Sequence, residues 1–546
     1  MTVSSPSFPD DSSPEGTQGE LFPAPQAPTR RSNRILLAVG LIVALGVGAA
    51  ILWLQAGLAF AFGQLASGAA NLQDDLTDAS DALVAGDYER GQVAYGDALA
   101  ATERIEQAVT APQLEFIGRF TGFDVAVANL ERLSVAATDI AVATGELLTL
   151  YGDLSGKSGT TRIFTDGAID LERLEELPDR VEFAQLQLLD AQKQLRGVRA
   201  ETTAAQMLAE ARDTALAETQ PVITAVDALD RIAPFLPDAL GGQGVRRYLV
   251  AIGNQAEMRA AGGAPLTLVL VEFDNGRISI PVQGQTSTQL FPPLNAPVQW
   301  FGPGYNPFFV KNQRNRPFVV TNTHPNMLFA GQEMAQAWAG GGYPQVDGVI
   351  TLDLTAIAAV LDATGPVESA AYGTVTGDQI GEILLVDAYS DFGQSEALAR
   401  QQANQELLDT LLTRLLGGED LVAAAQAIAS TAPGRHFQVW MRDSRLQTLA
   451  IDSGAAGVVE DPAIGDWSAM YTQNGNQSKT DVFQQRNTLV WVTLAEDGSA
   501  RVNQQLTMTN ATPADRPEGP PERIGYETSW VKNAYLMYVP DAARNY

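Results

Sequence analysis

The chain has no cysteine. Disulfides, thiolate zinc sites and cysteine nucleophiles are therefore excluded together. Histidine is nearly absent: His324 and His436 are the only two. That excludes a histidine-rich metal centre, and a Ser-His-Asp triad would have to use one of those two rings. No nucleophile-elbow pattern is present, which puts a hydrolase last among the function classes. Positive charge is also scarce, with 35 Lys and Arg against 64 Asp and Glu and a net charge of −29. A nucleic-acid partner is excluded on that ground, because neutralising phosphates needs a basic surplus.

What is present begins with a tail. Residues 1–34 are polar and proline-rich, cannot bury a core, and read as a disordered cytoplasmic segment. Arg30, Arg31 and Arg34 close it, and from Ile35 the chain is apolar, with no charge before Asp74. About twenty such residues cross a bilayer as a helix. Residues 35–58 are accordingly expected to be a single transmembrane anchor. The basic flank places the N-terminus in the cytoplasm and the bulk of the chain outside it. A cleaved signal peptide is the competing reading, with Ala59-Phe60-Ala61 as its cleavage site. The long apolar run and long leading tail favour the anchor.

Residues 64–240 read as an α-helical stalk or bundle. Leu130, Leu133, Ala137, Ile140, Thr144 and Leu147 alternate spacings of three and four, as do Leu174, Leu177, Val181, Ala184, Leu188, Ala191, Leu195 and Val198. Such stripes suit a coiled-coil stalk or antiparallel bundle, acidic outside, that serves as a spacer and could pair two chains as a homodimer. Breaks are expected at Ala111-Pro112 and between Gly152 and Gly167, with Pro221, Pro234 and Pro237 ending the last helices. Gly241-Gly242 marks a hinge.

Residues 245–455 read as an α/β domain. It opens with strands at Tyr248–Ile252 and Leu266–Phe273, then a hairpin turn at Asp274-Asn275-Gly276. Asn254 to Arg259 form a polar loop at the end of the first strand, where an α/β sheet presents ligands. The plain alternative is that Arg259 ties that loop to a nearby carboxylate. A long loop from Phe291 to Arg316 carries Trp300, Phe301, Tyr305, Phe308 and Phe309 and then Lys311, Arg314 and Arg316, suited to covering an anionic or lipid-linked ligand. Strands at Pro317–Asn322, Val346–Asp353 and His436–Met441 alternate with helices at Leu328–Ala339, Leu354–Ala363, Thr376–Tyr389 and Glu396–Leu416, which predicts a three-layer α/β sandwich. From Trp467 the pattern changes to hairpins. Residues 467–546 are a small β-rich domain, either an incomplete sandwich or a truncated one.

Four blocks, NQAEMRAAGG (254–263), NTHPN…AQAW (322–338), VDGVITLDLTAIAAVLDATGPV (346–367) and VTGDQIGEILL (375–385), resemble the bacterial domain-of-unknown-function family 4012 (DUF4012) over roughly residues 60 to 540. The second of these blocks contains His324. A second, smaller set, VDGVITLDLTAIAAVLDATGPVE, VTGDQ, the DFG at 391–393 and the RQQ at 400–402, is similar to the LytR-CpsA-Psr family. That resemblance implies an extracytoplasmic phosphotransferase on one membrane anchor, moving a glycopolymer from a polyprenyl-pyrophosphate carrier to the cell wall. It also implies arginines clamping the pyrophosphate and aspartates holding a magnesium ion. Carried over by motif, Arg259, Arg400 and Gln401 become ligand-binding residues and Asp391 a magnesium ligand. The chain departs from that pattern at Leu385, Asp387 and Gln394, where the family has arginines, and at Ala261, where it has an aspartate. Lys311, Arg314 and Arg316 are the basic residues that could replace them.

The sequence thus predicts a single-pass envelope protein binding an anionic lipid-linked or glycan ligand, with a role in glycopolymer transfer or assembly. The alternative is a non-catalytic scaffold holding partners above the membrane.

Overall fold

The computed structural model describes residues 30–84, 87–119, 123–165, 167–200, 203–291, 317–392, 396–416, 421–459, 468–539 and 543–544. The polar tail up to residue 29 and the aromatic and basic loop at 292–316, with Lys311, Arg314 and Arg316, lie outside the described residues.

Helix α1 runs unbroken from Arg30 to Val84, so the expected anchor and the first stalk helix are one rod. It is followed by α2 (Tyr88–Val109), the short α3 (Pro112–Ile117) and α4 (Asp124–Ser155). Two helical stretches among the described residues are long and apolar enough to cross a bilayer, Ala49–Ala82 and Asp124–Ser155. Their surroundings differ. The first is 6% buried and the second 39%, because α4 is enclosed by α2 and by two later helices, α6 (Leu177–Arg196) and α7 (Thr203–Ile232). Between them come the hairpin strands β1 (Phe164–Thr165) and β2 (Ala168–Ile169) and the short α5 (Leu171–Glu175).

The α6 stripe is buried throughout, from Leu177 and Val181 to Leu195. The stripe expected on α4 is only half-buried, from Leu130 and Leu133 to Leu147. The fully buried positions of α4 are others and mostly small, including Ser134, Ala136, Ala141, Ala143 and Gly145, because neighbours crowd the helix on several sides. A Cβ on Gly145 would lie 2.3 Å from the Tyr95 hydroxyl. A coiled coil buries one seam; this bundle buries several. Pro221 sits inside α7 and does not end it. Both Pro221 and Ala217 are exposed, so the carbonyl that loses its partner faces water.

The segment expected as a loop between Gly152 and Gly167 supplies β1 and β2, which extend the main sheet. After α8 (Leu236–Ala239) come β3 (Arg246–Arg259), β4 (Gly262–Asp274) and β5 (Arg277–Gln285). The β4–β5 turn has Asn275 at φ 48° and Gly276 at φ 78°, the paired positive values of a type I′ hairpin. Gly276 has a second constraint, since a Cβ there would lie 2.1 Å from the Ile169 carbonyl oxygen of β2. Gly241 is no free hinge either: its carbonyl accepts from Asn275 N at 3.1 Å, and Leu240 O accepts from Gly276 N at 2.9 Å.

The chain continues through α9 (Met327–Gly340), β6 (Gly348–Asp353), α10 (Leu354–Thr364), the small hairpin β7 (Val367–Ser369) and β8 (Gly373–Val375), and α11 (Gly377–Glu382). A π-helical turn, Ile383–Asp387, leads into α12 (Ala388–Asp391). Then come α13 (Ala397–Leu416), α14 (Leu421–Ser430), β9 (Phe437–Met441) and α15 (Ser444–Asp452). The seven strands lie in the order β1-β2-β5-β4-β3-β6-β9. Only β3 and β6 pair in parallel; β9 returns antiparallel to β6. The sheet is therefore mixed, in place of the alternating strand–helix layers expected of a three-layer sandwich. The expected strand at Pro317–Asn322 is a 3-10 turn, Phe318–Val320. Pro317 has no N–H for a ladder, and the Thr321 and Thr323 hydroxyls donate to the Phe318 and Val320 carbonyls at 2.8 and 3.0 Å.

The central core joins Leu249, Ala251, Leu268, Leu270 and Val349 of the sheet to Met327, Met334 and Trp338 of α9. Each such large side chain contributes roughly 1.5–3 kcal/mol by leaving water. Phe291 caps this core, stacked on Phe318 at 4.8 Å. The C-terminal part is β-rich as expected. It pairs β10 (Ala469–Asn474) with β13 (Asn533–Tyr538), and β11 (Gln484–Leu494) with β12 (Ala500–Asn510), with α16 (Pro521–Ile524) between them in sequence.

Candidate functional site

Strand β3 loses register with β4 at Ile252/Gly253 and again between Asn254 and Met258. Bulges re-aim side chains, and here successive residues point to different neighbours. The Asn254 carbonyl oxygen of the side chain accepts from Ala256 N at 2.9 Å, fixing a local turn, while its amide donates to the Tyr389 hydroxyl at 3.2 Å. Gln255 donates to Asp353 Oδ2 at 2.9 Å and to the Thr355 hydroxyl at 3.1 Å.

Asp353 ends β6 and caps α10, with Oδ1 accepting from Thr355 N at 2.9 Å and Ala356 N at 3.3 Å. Its other oxygen lies 2.7 Å from His436 Nδ1. Burial pushes the Asp353 carboxyl above the usual range, against the pull of His436 and the two N–H groups. The His436 side chain remains 35% exposed. This pair lies at the carboxyl end of the one parallel strand pair, where open α/β sheets hold ligands. Next to it Arg435, at φ 61°, donates to the Gly457 carbonyl at 2.9 Å and to the Pro325 carbonyl, and burial draws its pKa down.

On the β3 side, the Arg400 guanidinium lies over the Tyr389 ring at 4.2 Å. Among the described residues, no carboxylate stands within ion-pair distance of it. Tyr372, beside the same group, is pushed up to about 12 by burial; Arg400 opposes that shift and Asp391 adds to it. Arg400, Asp391, Tyr389 and Tyr372 therefore form one neighbourhood, immediately after the π-helical turn that carries Leu385 and Asp387. Asp391 is exposed at the end of α12. Gln401 faces the other way, accepting from the Thr288 hydroxyl at 3.3 Å. No group of three His, Asp or Glu side chains that could hold a metal is present among the described residues. Asp391 does not by itself fit a protein-held magnesium site.

Arg259 is not part of this mouth. Its side chain is 2% exposed, and its guanidinium is bound by Glu257 and by the Val319 and Met258 carbonyls, both at 3.2 Å. Glu257 also binds Lys479 from the C-terminal domain. Burial pushes the Glu257 carboxyl up, but Lys479 and Arg259 together hold it below its ordinary range. Asp481 completes the contact, accepting from Met258 N at 2.7 Å and from Asn474 at 2.9 Å. The loop-to-carboxylate alternative describes Arg259 as it stands. Arg314 and Arg316 fall outside the described residues.

His324 is buried too, with Nδ1 accepting from Asn326 N at 3.0 Å, and burial draws its pKa down to about 4. It is neutral near pH 7 and turned inward. His436 was legible in the sequence only as one of two histidines. Asp353 carried a clearer signal, an aspartate between an apolar strand and a helix, which is a cap pattern.

Residues 243–389 match the family described as "Protein of unknown function (DUF4012)". The matched span runs from the start of β3 into α12 and contains Arg259, Asp353 and Tyr389, whereas Asp391, Arg400 and His436 lie beyond it. It is narrower than the 60–540 extent expected. No curated protein matches the chain.

Proposed function

We propose that the chain is a single-pass membrane protein, N-terminus in the cytoplasm and bulk outside. In this reading the mouth at the ends of β3, β6 and β9 binds an anionic ligand, lipid-linked or glycan, in glycopolymer transfer or assembly. One observation carries the binding site: Arg400 is stacked on Tyr389 with no carboxylate partner among the described residues. A guanidinium held in place by a ring and not neutralised is a ready receptor for phosphate or carboxylate oxygens. Asp353 and His436 are linked to that neighbourhood through adjacent β3 residues, Asn254 bonding Tyr389 and Gln255 bonding Asp353, and would offer hydrogen bonds to the rest of such a ligand. A magnesium ion beside Asp391 would draw most of its ligands from bound phosphates and water. The anchor rests on α1, whose apolar half exposes Val47, Ile51, Leu52 and Trp53.

Binding of a polyprenyl-pyrophosphate analogue in the presence of magnesium tests the site. Arg400→Ala should weaken it about 10- to 150-fold, the equivalent of one charge-assisted contact of 1.5–3 kcal/mol. Unchanged affinity would remove Arg400 from the site. Protease added to intact cells tests the orientation: the chain beyond Gln64 should be cut, and full protection in protease-permeable envelopes would reverse the topology.

The scaffold reading has its own observation. Phe183, Leu186 and Leu189 form an exposed apolar row on α6, spaced for a partner helix or a second stalk. Replacing Phe183, Leu186 and Leu189 with lysine should abolish stalk pairing and leave Arg400-dependent binding intact.

A further inference from the structure

The β11–β12 ribbon is a two-stranded sheet with both outer edges unpaired among the described residues. Isolated two-stranded ribbons are marginal in water and normally gain a third strand or a packed face. Among the described residues nothing of that kind covers this one. Leu489, Val490, Trp491, Val492, Leu494 and Val502 are 48–75% exposed.

The two edges differ in chemistry. The β12 edge is polar, with Arg501, Asn503, Gln504 and Gln505. The β11 edge reads Thr488-Leu489-Val490-Trp491-Val492-Thr493-Leu494, without charge, proline or glycine, in a chain whose net charge is −29. Exposed edges are ordinarily guarded by lysine, proline or a bulge, because an unguarded one recruits another strand. The centre of this stretch, Val490-Trp491-Val492, is symmetric about Trp491. Laid antiparallel on its own copy, Val490 meets Val492, Leu489 meets Thr493 and Thr488 meets Leu494. In β11 the residues 488, 490, 492 and 494 share one face, set by their register with 506, 504, 502 and 500 of β12. A two-fold axis through Trp491 therefore keeps 488, 490, 492 and 494 of both ribbons on one face, with Val490 against Val492 at its centre.

We infer that β11 is a homodimerisation edge: two copies of this chain pair β11 to β11 antiparallel about Trp491, giving a four-stranded sheet β12-β11-β11-β12. Such an isologous contact closes on itself and stops at a dimer. The bilayer is a poorer occupant, because the ribbon would have to lead with its tip, which carries Glu496 and Asp497. The inference is independent of the anion site.

The absence of native cysteine makes the test direct. Full-length chain in mild detergent is prepared as Leu489→Cys and, separately, as Thr493→Cys. Directly opposed antiparallel residues have Cα atoms about 4.5–5.5 Å apart, within disulfide reach. A mixture of the two variants should oxidise to a covalent dimer, while either variant alone, and Asn503→Cys on the β12 edge, should not. Val490→Lys with Val492→Lys should raise the dimer dissociation constant at least about tenfold with an unchanged unfolding temperature. A chain that is monomeric at every accessible concentration would overturn the inference. So would cross-linking through Asn503→Cys in place of the 489–493 pair, or a dimer indifferent to the two lysines.

Discussion

Two polar clusters flank the bulge at the end of β3, and they hold their arginines in opposite ways. On one side Arg259 is enclosed with Glu257 and Lys479, a carboxylate between two cations, all buried where the C-terminal domain meets the sheet. On the other, Arg400 rests on the face of Tyr389 without a carboxylate within ion-pair distance among the described residues, and Tyr389 is joined through Asn254 and Gln255 of β3 to the Asp353–His436 pair. A buried cation that has its counter-ion serves to join elements. An open cation that lacks one retains its attraction for something outside the chain. The same contrast separates the two histidines, His324 inward and neutral, His436 half-exposed against Asp353.

The comparison is broken most severely by removing the shared carboxylate. Glu257→Ala would leave Arg259 and Lys479 as uncompensated buried charges, at about 3–5 kcal/mol. Urea unfolding should show that loss, and a cost under about 1 kcal/mol would mean that the cluster is wet. Acid acts next. His324 is held near 4 in the folded chain against about 6.5 unfolded, so the unfolded state takes up a proton that the folded state refuses. Stability should fall by about 3 kcal/mol between pH 6.5 and 4. Glu257, also lowered, adds loss of the same sign as pH drops through its folded value. Asp353 and Asp481 are raised and act oppositely, their contribution being lost as pH rises through their folded values. Unfolding at about pH 7 and pH 4.5 measures the balance, and His324→Asn should show the smaller difference.

A milder cut falls on the open side. Asp353→Ala removes the α10 cap and the His436 partner and should cost about 1–2 kcal/mol, whereas Asp353→Asn, which still caps, should cost less. Smallest in stability is Arg400→Ala, expected within about 0.5 kcal/mol of the native chain because it removes a stack on Tyr389 and no ion pair among the described residues.

Local signals in the sequence carried much of the architecture. The Asp274-Asn275-Gly276 turn, the α6 stripe and the helices at 327–340, 354–364 and 397–416 depend on spacing and turn chemistry that neighbouring residues declare. What escaped depends on distant partners. Phe164–Thr165 and Ala168–Ile169 lack a strand pattern of their own and become strands because β5 offers an edge to β2, and β2 to β1. Pro221 reads as a terminator, yet solvent on its side of α7 lets the helix continue. Arg400 and Asp391, singled out from short motifs, do share one neighbourhood around Tyr372, and Tyr389 sits two residues before that aspartate. Arg259 misled as a ligand residue because the Lys479 that completes its ion cluster lies 220 residues further on. A loop arginine next to a glutamate looks the same in sequence whether a partner domain closes over it or leaves it open.

The division of labour between the two arginines is tested most directly by thermal unfolding of Arg400→Ala with and without a pyrophosphate-bearing lipid analogue and magnesium. The account predicts a native unfolding temperature without ligand and the loss of the ligand-induced rise that the unaltered chain shows. A lowered temperature without ligand, or an undiminished rise with it, would contradict the assignment of Arg400 to the open site.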